Sequence, residues 1–117
     1  MKILLSLLLV ASTAIASIPA KQAASDLNYI TTEDTQCNIY LEYATNSLYL
    51  MAQAEQENNL KFINIHFDNF QLNSDIAIEY CTYINAEVTS ELMEIQSAIN
   101  AYYLRNYHEK YEPEKTK

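Results

Sequence analysis

Apolar residues in this chain recur every three or four positions, the period of a helix that buries one face. In the first half the series consists of Leu27, Ile30, Cys37, Leu41, Ala44, Leu48 and Met51, with the polar Asp34 between Ile30 and Cys37. In the second half it consists of Leu60, Ile63, Phe67, Phe70, Ala77, Cys81, Ile84, Val88, Leu92, Ile95, Ile99 and Tyr102, with the polar Ser74 between Phe70 and Ala77. The pattern predicts an all-α fold with helices over about 33–57 and 60–111.

The polar segment 56–59 between the two series is the clearest turn in the sequence. It ends in Asn58 and Asn59, and asparagine tolerates the left-handed backbone of a helix stop. Two weaker breaks, at 31–34 and 73–75, resemble helix starts, and each either begins a new helix or lies inside a continuous one. Residues 20–30 are a candidate short N-terminal helix.

The positions of the two cysteines favour a helical hairpin that turns at Asn59. Cys37 and Cys81 each lie 22 residues from Asn59. Two antiparallel helices that turn there would hold the cysteines at the same height, within reach of a disulfide, and would align their apolar residues as in an antiparallel coiled coil. A reversal at 73–75 would separate the cysteines. The sequence therefore predicts one disulfide, Cys37–Cys81, that clips an antiparallel helical hairpin or small helical bundle.

The apolar faces of both helices are wider than a bare hairpin can bury. Faces this wide belong to bundles of three or more helices. The side stripes beside the main series are Tyr40, Tyr43, Leu50 and Ala54 in the first half, and Ile65, Leu72, Ile76, Tyr80 and Tyr83 in the second. A further layer can come from residues 20–30, from a fold-back of the C-terminal helix, or from a second chain. Because the stripe from Val88 to Tyr102 would extend past the hairpin, we expect a symmetric dimer that joins the overhanging second helices into a four-helix core.

The side stripes and the overhang also form a candidate interaction surface. Tyrosine is an amphipathic anchor in protein interfaces, and the chain has 10 tyrosines. The alternative is plain packing, because aromatic stripes at helical spacing are usually core. The candidate surface consists of Tyr40, Tyr43, Leu50, Tyr80, Tyr83, Leu92, Ile95, Ile99 and Tyr102.

The N-terminal segment 1–16 has the pattern of a secretory signal peptide. Lys2 precedes an apolar run, and Ala14 and Ala16 form a small-x-small cleavage site. We therefore expect a secreted chain that begins near Ser17, with one helical domain over 17–117 and paired cysteines. No later apolar run is long enough to cross a membrane.

Charge and composition narrow the function. The chain has 15 acidic and 7 basic residues, a net charge of −8, which repels nucleic acid and anionic lipid. Glycine is absent, which excludes glycine-dependent phosphate loops and nucleophile elbows. With both cysteines committed, no Ser/His/Asp or Cys/His arrangement can be proposed. We expect a protein that is not an enzyme and has no cofactor.

A metal site is also not predicted. Glu87, Glu91 and Glu94 share one helix face, but calcium requires six or more oxygens, usually with loop carbonyls.

The expected function is that of a secreted, non-enzymatic helical protein that binds another protein or itself. The alternative is a carrier of a small apolar ligand in a cavity between helices.

Overall fold

A computed structural model describes the backbone of residues 17–111 and the side chains of residues 17–107. The predicted signal peptide, 1–16, lies outside the described residues. Over the described range the chain is helical and contains no strand, which confirms the all-α prediction. The helices are α1 (Ala20–Asn28), α2 (Thr35–Gln56), α3 (Leu60–Thr82) and α4 (Ala86–Tyr111).

Helix α1 is the short N-terminal helix that the sequence suggested. It follows Pro19, whose carbonyl accepts from the Ala23 amide at 2.9 Å. The helix buries one face made largely of alanine, and these small side chains allow close packing against α2 and α4. The buried residues of α1 are Ala20, Ala23, Ala24 and Leu27.

Helices α2 and α3 form the predicted antiparallel hairpin. Asp34 caps α2, with its carboxylate accepting from the Cys37 amide at 2.8 Å. The hairpin turn contains Asn58 with a φ of 54°, in the left-handed region that asparagine tolerates. Asn59 then caps α3 by accepting from the Phe62 amide at 3.1 Å. The turn predicted at 56–59 is confirmed.

The Cys37–Cys81 disulfide is also confirmed, with a Cα–Cα distance of 5.0 Å. Both cysteines are fully buried. Helix α3 runs without interruption through 73–75, because Ser74 faces the core and its hydroxyl is satisfied. Ser74 Oγ donates to the Gln71 carbonyl at 3.1 Å and accepts from Gln96 Nε2 at 2.8 Å.

The prediction of one helix over 60–111 is wrong at residues 83–85. Helix α3 ends at Thr82, and Asn85 caps a new helix. The Asn85 Oδ1 atom accepts from the amides of Glu87 at 2.9 Å and Val88 at 3.3 Å. The break was hidden because Ile84 continues the apolar spacing across it, although in the structure its side chain is exposed.

After this break α4 folds back across the hairpin. The Gln71 side chain donates to Asn100 Oδ1 at 3.1 Å, and Gln96 Nε2 donates to Asp75 Oδ1 at 2.8 Å. The stripe from Val88 to Tyr102 therefore packs within the chain. The predicted overhang is wrong, and so is the four-helix dimer core built on it.

The core lies between two layers of helices. One layer is the α2–α3 hairpin; the other consists of α1, packed on α2, and α4, packed on α3 and α1. Of the three sources proposed for the extra layer, the N-terminal segment and the fold-back both contribute. The largest fully buried side chains are Phe70, Leu27, Leu48, Met51, Leu92 and Ile99.

Candidate interaction surface

The α2–α3 hairpin has one broad side that faces away from α1 and α4. Helix α4 contacts α3 through Asn64, Gln71, Ser74 and Asp75, which lie on one side of the apolar seam between α2 and α3. Positions on the other side of the seam recur at helical spacing along both helices. We call them the hairpin face: Tyr40, Tyr43, Ser47, Leu50 and Ala54 of α2, and Phe62, His66, Asn69, Asn73, Ile76 and Tyr80 of α3.

One end of the hairpin face, near the disulfide, is aromatic. The rings of Tyr40 and Tyr80 stack across the seam, with centroids 5.5 Å apart and an interplanar angle of 6°. Tyr43 meets Tyr40 edge-on at 5.6 Å. Tyr43 is 50% exposed and Tyr80 is 44% exposed, so this end offers aromatic surface that the described residues leave uncovered.

The other end lies near the hairpin turn and is formed by Leu50 and Phe62. Each is 45% exposed, and the Phe62 ring lies 6.0 Å from the His66 ring. Between the two ends, the face contains the small buried Ser47 and the amide side chains of Asn69 and Asn73. The hairpin face thus has two bulky apolar ends and a smaller, polar middle.

The hairpin face contains no Asp, Glu, Lys or Arg. In the whole chain these four residue types make up 19% of positions, and acids such as Glu42 and Glu79 lie on other sides of the same helices. Depletion of charge together with exposed aromatic and aliphatic side chains is typical of the core of a protein interface. The hairpin face is therefore the candidate interaction surface of this fold.

The structure divides the predicted surface residues between this face and the interior. Tyr40, Tyr43, Leu50 and Tyr80 come together on the hairpin face, as the side stripes suggested. Tyr83 stands apart in the α3–α4 turn, 88% exposed.

The remaining predicted surface residues belong to α4. Leu92 and Ile99 are fully buried, because α4 folds back, so they are not part of an accessible surface. Ile95 and Tyr102 are partly buried and pack against the core.

Sequence reasoning missed Phe62 and the uncharged centre of the face. Phe62 lies on the same side of the seam as Ile76 and Tyr80, at helical spacing. The sequence contained a signal that could have found it: once the hairpin register is fixed, the positions flanking one side of the seam can be read from both helices, and none of them is charged.

A cluster of Glu55, Tyr102 and Tyr107 joins α4 to α2 near the hairpin turn. The Tyr102 hydroxyl donates to Glu55 Oε2 at 2.6 Å, and the Tyr107 hydroxyl donates to the same oxygen. Burial, reinforced by the hydrogen bond and the negative charge of Glu55, raises the pKa of Tyr102 to about 12. The same causes raise the pKa of Tyr107. Both phenols remain protonated donors at neutral pH, so the cluster can hold α4 against α2. We call this cluster of Glu55, Tyr102 and Tyr107 the clasp.

Buried polar side chains within residues 17–107 form hydrogen bonds inside the helical core. Thr45 Oγ1 donates to the Leu41 carbonyl at 2.8 Å, and the Tyr103 hydroxyl donates to Asn64 Oδ1. In the same range, no group of three or more His, Cys, Asp or Glu residues could hold a metal ion. None of the helices in the described part of the chain has the length and hydropathy needed to cross a membrane.

A groove lies between α1 and α4. It is an open groove of about 700 Å³ with apolar walls that include Ile18, Met93, Ile95 and Ala98. Asp26 and Glu94 also line it. The groove has the size of a small-molecule site.

Comparison with known proteins found no similar protein. No protein-family model matches the chain, and no similar curated protein or solved structure was found.

Proposed function

We propose that this protein is exported and acts, without catalysis, by binding a protein through the hairpin face. The observation that carries the proposal is an uncharged face with half-exposed Tyr43, Leu50, Phe62 and Tyr80 on a chain that is otherwise rich in acid. Tyrosine and other aromatic residues dominate binding energy at interfaces when a partner completes their burial.

The disulfide supports this role by holding the face rigid. Cys37 and Cys81 join α2 to α3 beside the stacked rings of Tyr40 and Tyr80. A preorganised surface loses little conformational entropy when a partner docks, so more of its contact energy appears as affinity.

Export is part of the proposal. The signal-like segment 1–16 and a structural disulfide both suit an oxidising compartment. Intact-mass measurement of the exported protein should show a start near Ser17 and two hydrogens fewer than the reduced chain. A product that retains Met1, or two thiols that alkylate without denaturation, would contradict export as proposed.

Site-specific photo-crosslinking tests the binding surface. A benzoylphenylalanine replaces Tyr43 on the hairpin face in one variant and Tyr49 in the other. Tyr49 is a matched control because it is 44% exposed on the same helix but lies on the opposite side of the seam. In the medium of the producing cells, we expect an adduct of defined mass from position 43 and none from position 49.

Competition makes the crosslink specific. Excess unlabelled protein should suppress an adduct with a different protein, whereas excess Leu50→Glu protein should not, because the substitution places a charge in an apolar contact. If the adduct has the mass of two chains, the unlabelled protein is itself the partner, and Leu50→Glu in the labelled chain should abolish the adduct. Equal crosslinking from the two positions, or an adduct that both competitors suppress alike, would refute the hairpin face as the binding surface.

A second candidate function is the carriage of a small apolar ligand in the groove between α1 and α4. The specific observation is its apolar lining by Ile18, Met93, Ile95 and Ala98. A fluorescent hydrophobic probe should then bind with a stoichiometry near one, and Met93→Glu should weaken its binding at least tenfold. Probe binding that is lost on Leu50→Glu instead would assign the probe to the hairpin face.

A further inference from the structure

The hairpin face has properties that suit a second copy of the same chain. We propose that its partner is a second copy, bound face to face about a two-fold axis that lies in the plane of the contact, perpendicular to α2 and α3, at the middle of the hairpin face. This inference rests on the proposed function and names the partner of that same surface. Charge, symmetry and area each support it.

Charge is the first argument. The chain has a net charge of −8, so two copies repel each other over most approach directions. The hairpin face is the broad side of α2 and α3 on which neither copy presents a formal charge, so two copies can close there without burying like charges. A basic partner would gain little on this face, because it contains no carboxylate to pair with a lysine or arginine.

Symmetry is the second argument. A two-fold axis in the contact plane that crosses α2 and α3 at their middle turns one copy end for end relative to the other. The aromatic end with Tyr43 and Tyr80 then lies over the end with Leu50 and Phe62. An interface of this kind requires a surface that complements itself, and bulky apolar ends meeting bulky apolar ends satisfy that requirement.

The polar middle also fits a self-complementary interface. Asn69 and Asn73 lie midway between Phe62 and Tyr80 along α3, close to the proposed axis. An amide side chain has both a donor and an acceptor, so the Asn69 and Asn73 amides of one copy can pair with the same two amides of the other copy. A carboxylate or an ammonium at that position could not. Ser47, the small residue in the middle of the α2 row, leaves room for the two copies to approach.

Area is the third argument. Phe62 and Tyr80 are about 27 Å apart along α3 at ~1.5 Å per residue, and two adjacent helices are about 20 Å wide. The face therefore offers on the order of 500 Å² per copy, or about 1,000 Å² in total, near the lower bound of a specific interface. An interface of this size predicts a dimer that dissociates in the micromolar range.

Sedimentation equilibrium of the full exported chain tests the inference. Between about 1 μM and 1 mM we expect the mean mass to rise from one chain mass to two, as for a micromolar dimer. Leu50→Glu should weaken the dimer at least tenfold, whereas Leu104→Glu should leave it unchanged. The two leucines are matched, because Leu104 is 50% exposed and Leu50 is 45% exposed, but Leu104 lies on α4. Circular dichroism confirms that each variant is folded.

A second variant keeps the test decisive where Leu50→Glu unfolds the chain. Asn73→Asp keeps the shape of the side chain but places a carboxylate of each copy close to the two-fold axis. The two negative charges repel each other, so this substitution should also weaken the dimer. A wild-type chain that stays monomeric throughout, or equal effects of Leu50→Glu and Leu104→Glu, would overturn the inference.

The crosslinking experiment separates this failure from that of the proposed function. A monomeric chain that still crosslinks from position 43 to a different protein overturns the second copy and leaves the hairpin face as a binding surface. A monomeric chain without any crosslink from position 43 overturns both.

Discussion

Tyrosine residues have three different environments in this protein. Tyr103 is buried, with its ring stacked on Phe67 at a centroid distance of 3.9 Å and its hydroxyl bonded to Asn64. Tyr102, its neighbour in sequence, points to the carboxylate of Glu55. Tyr43 lies half-exposed on the hairpin face. The groups that each tyrosine contacts, rather than its helical spacing, decide whether it packs in the core, holds α4 against α2, or lies on the interaction surface.

The clasp between Glu55 and the two α4 tyrosines should make stability sensitive to alkaline pH. The pKa of Tyr102 is raised from 10.0 to about 12 in the fold, so the folded chain holds that proton more tightly than the unfolded chain. The resulting stability is present below about pH 10 and is lost as pH rises towards 12. The pKa of Tyr107 shifts in the same direction and adds to the loss.

Urea unfolding at pH 7, 10 and 11.5 measures this effect. Tyr102→Phe should cost about 1 to 2 kcal/mol at pH 7, towards the lower end for a hydrogen bond to a charged group, because Tyr102 is only partly buried. Its stability should then fall less than that of the wild type between pH 10 and 11.5. Tyr49→Phe, at an exposed position, is the control and should follow the wild type. An equal pH dependence in all three proteins would contradict the clasp.

At the scale of helices, the hairpin and its disulfide could be predicted because every residue of an α-helix adds the same rise along its axis. Equal spacing of Cys37 and Cys81 from Asn59 was enough to set the register. The break at 83–85 could not be predicted. Three residues of capping type at 73–75 do not interrupt α3, because Ser74 is held in the core, whereas a single capping residue, Asn85, begins a new helix. Tertiary packing therefore decides which of these two sites interrupts the helix.

Core substitutions at the hairpin seam test the register. Leu48 is fully buried and Glu42 is exposed on the same helix. Leu48→Ala should cost about 2 to 5 kcal/mol of unfolding free energy, because it removes buried surface and leaves a cavity. Glu42→Ala should stay within about 0.5 kcal/mol. Similar costs in denaturant titrations would mean that the seam is misplaced.

The cap at Asn85 tests the reversal before α4. Asn85→Ala removes the side-chain acceptor for the Glu87 and Val88 amides and should cost about 0.5 to 2 kcal/mol. Asn46→Ala, at an exposed position within α2, is the matched control and should cost nothing. If the two variants have the same thermal midpoint, Asn85 does not begin α4.

At the scale of the whole molecule, two layers of helices decide which apolar stripes remain open. The sequence contained two candidate surfaces of similar periodicity, one on the hairpin and one from Val88 to Tyr102. Periodicity alone could not rank them, because the covering layer depends on the reversal at 83–85. Once α4 folds back it buries its own stripe, and the hairpin face is the broad side of α2 and α3 that residues 17–107 leave uncovered.

Hydroxyl-radical footprinting at two protein concentrations tests the central role of the hairpin face most directly, because it reads the exposure of single side chains without any substitution. From about 1 μM to 1 mM, oxidation of Tyr43, Leu50, Phe62 and Tyr80 should fall at least twofold as a second copy covers them. Oxidation of Tyr49 and Leu104, similarly exposed on other surfaces, should not change. Protection of those two control residues, or rates on the hairpin face that are independent of concentration, would contradict the account.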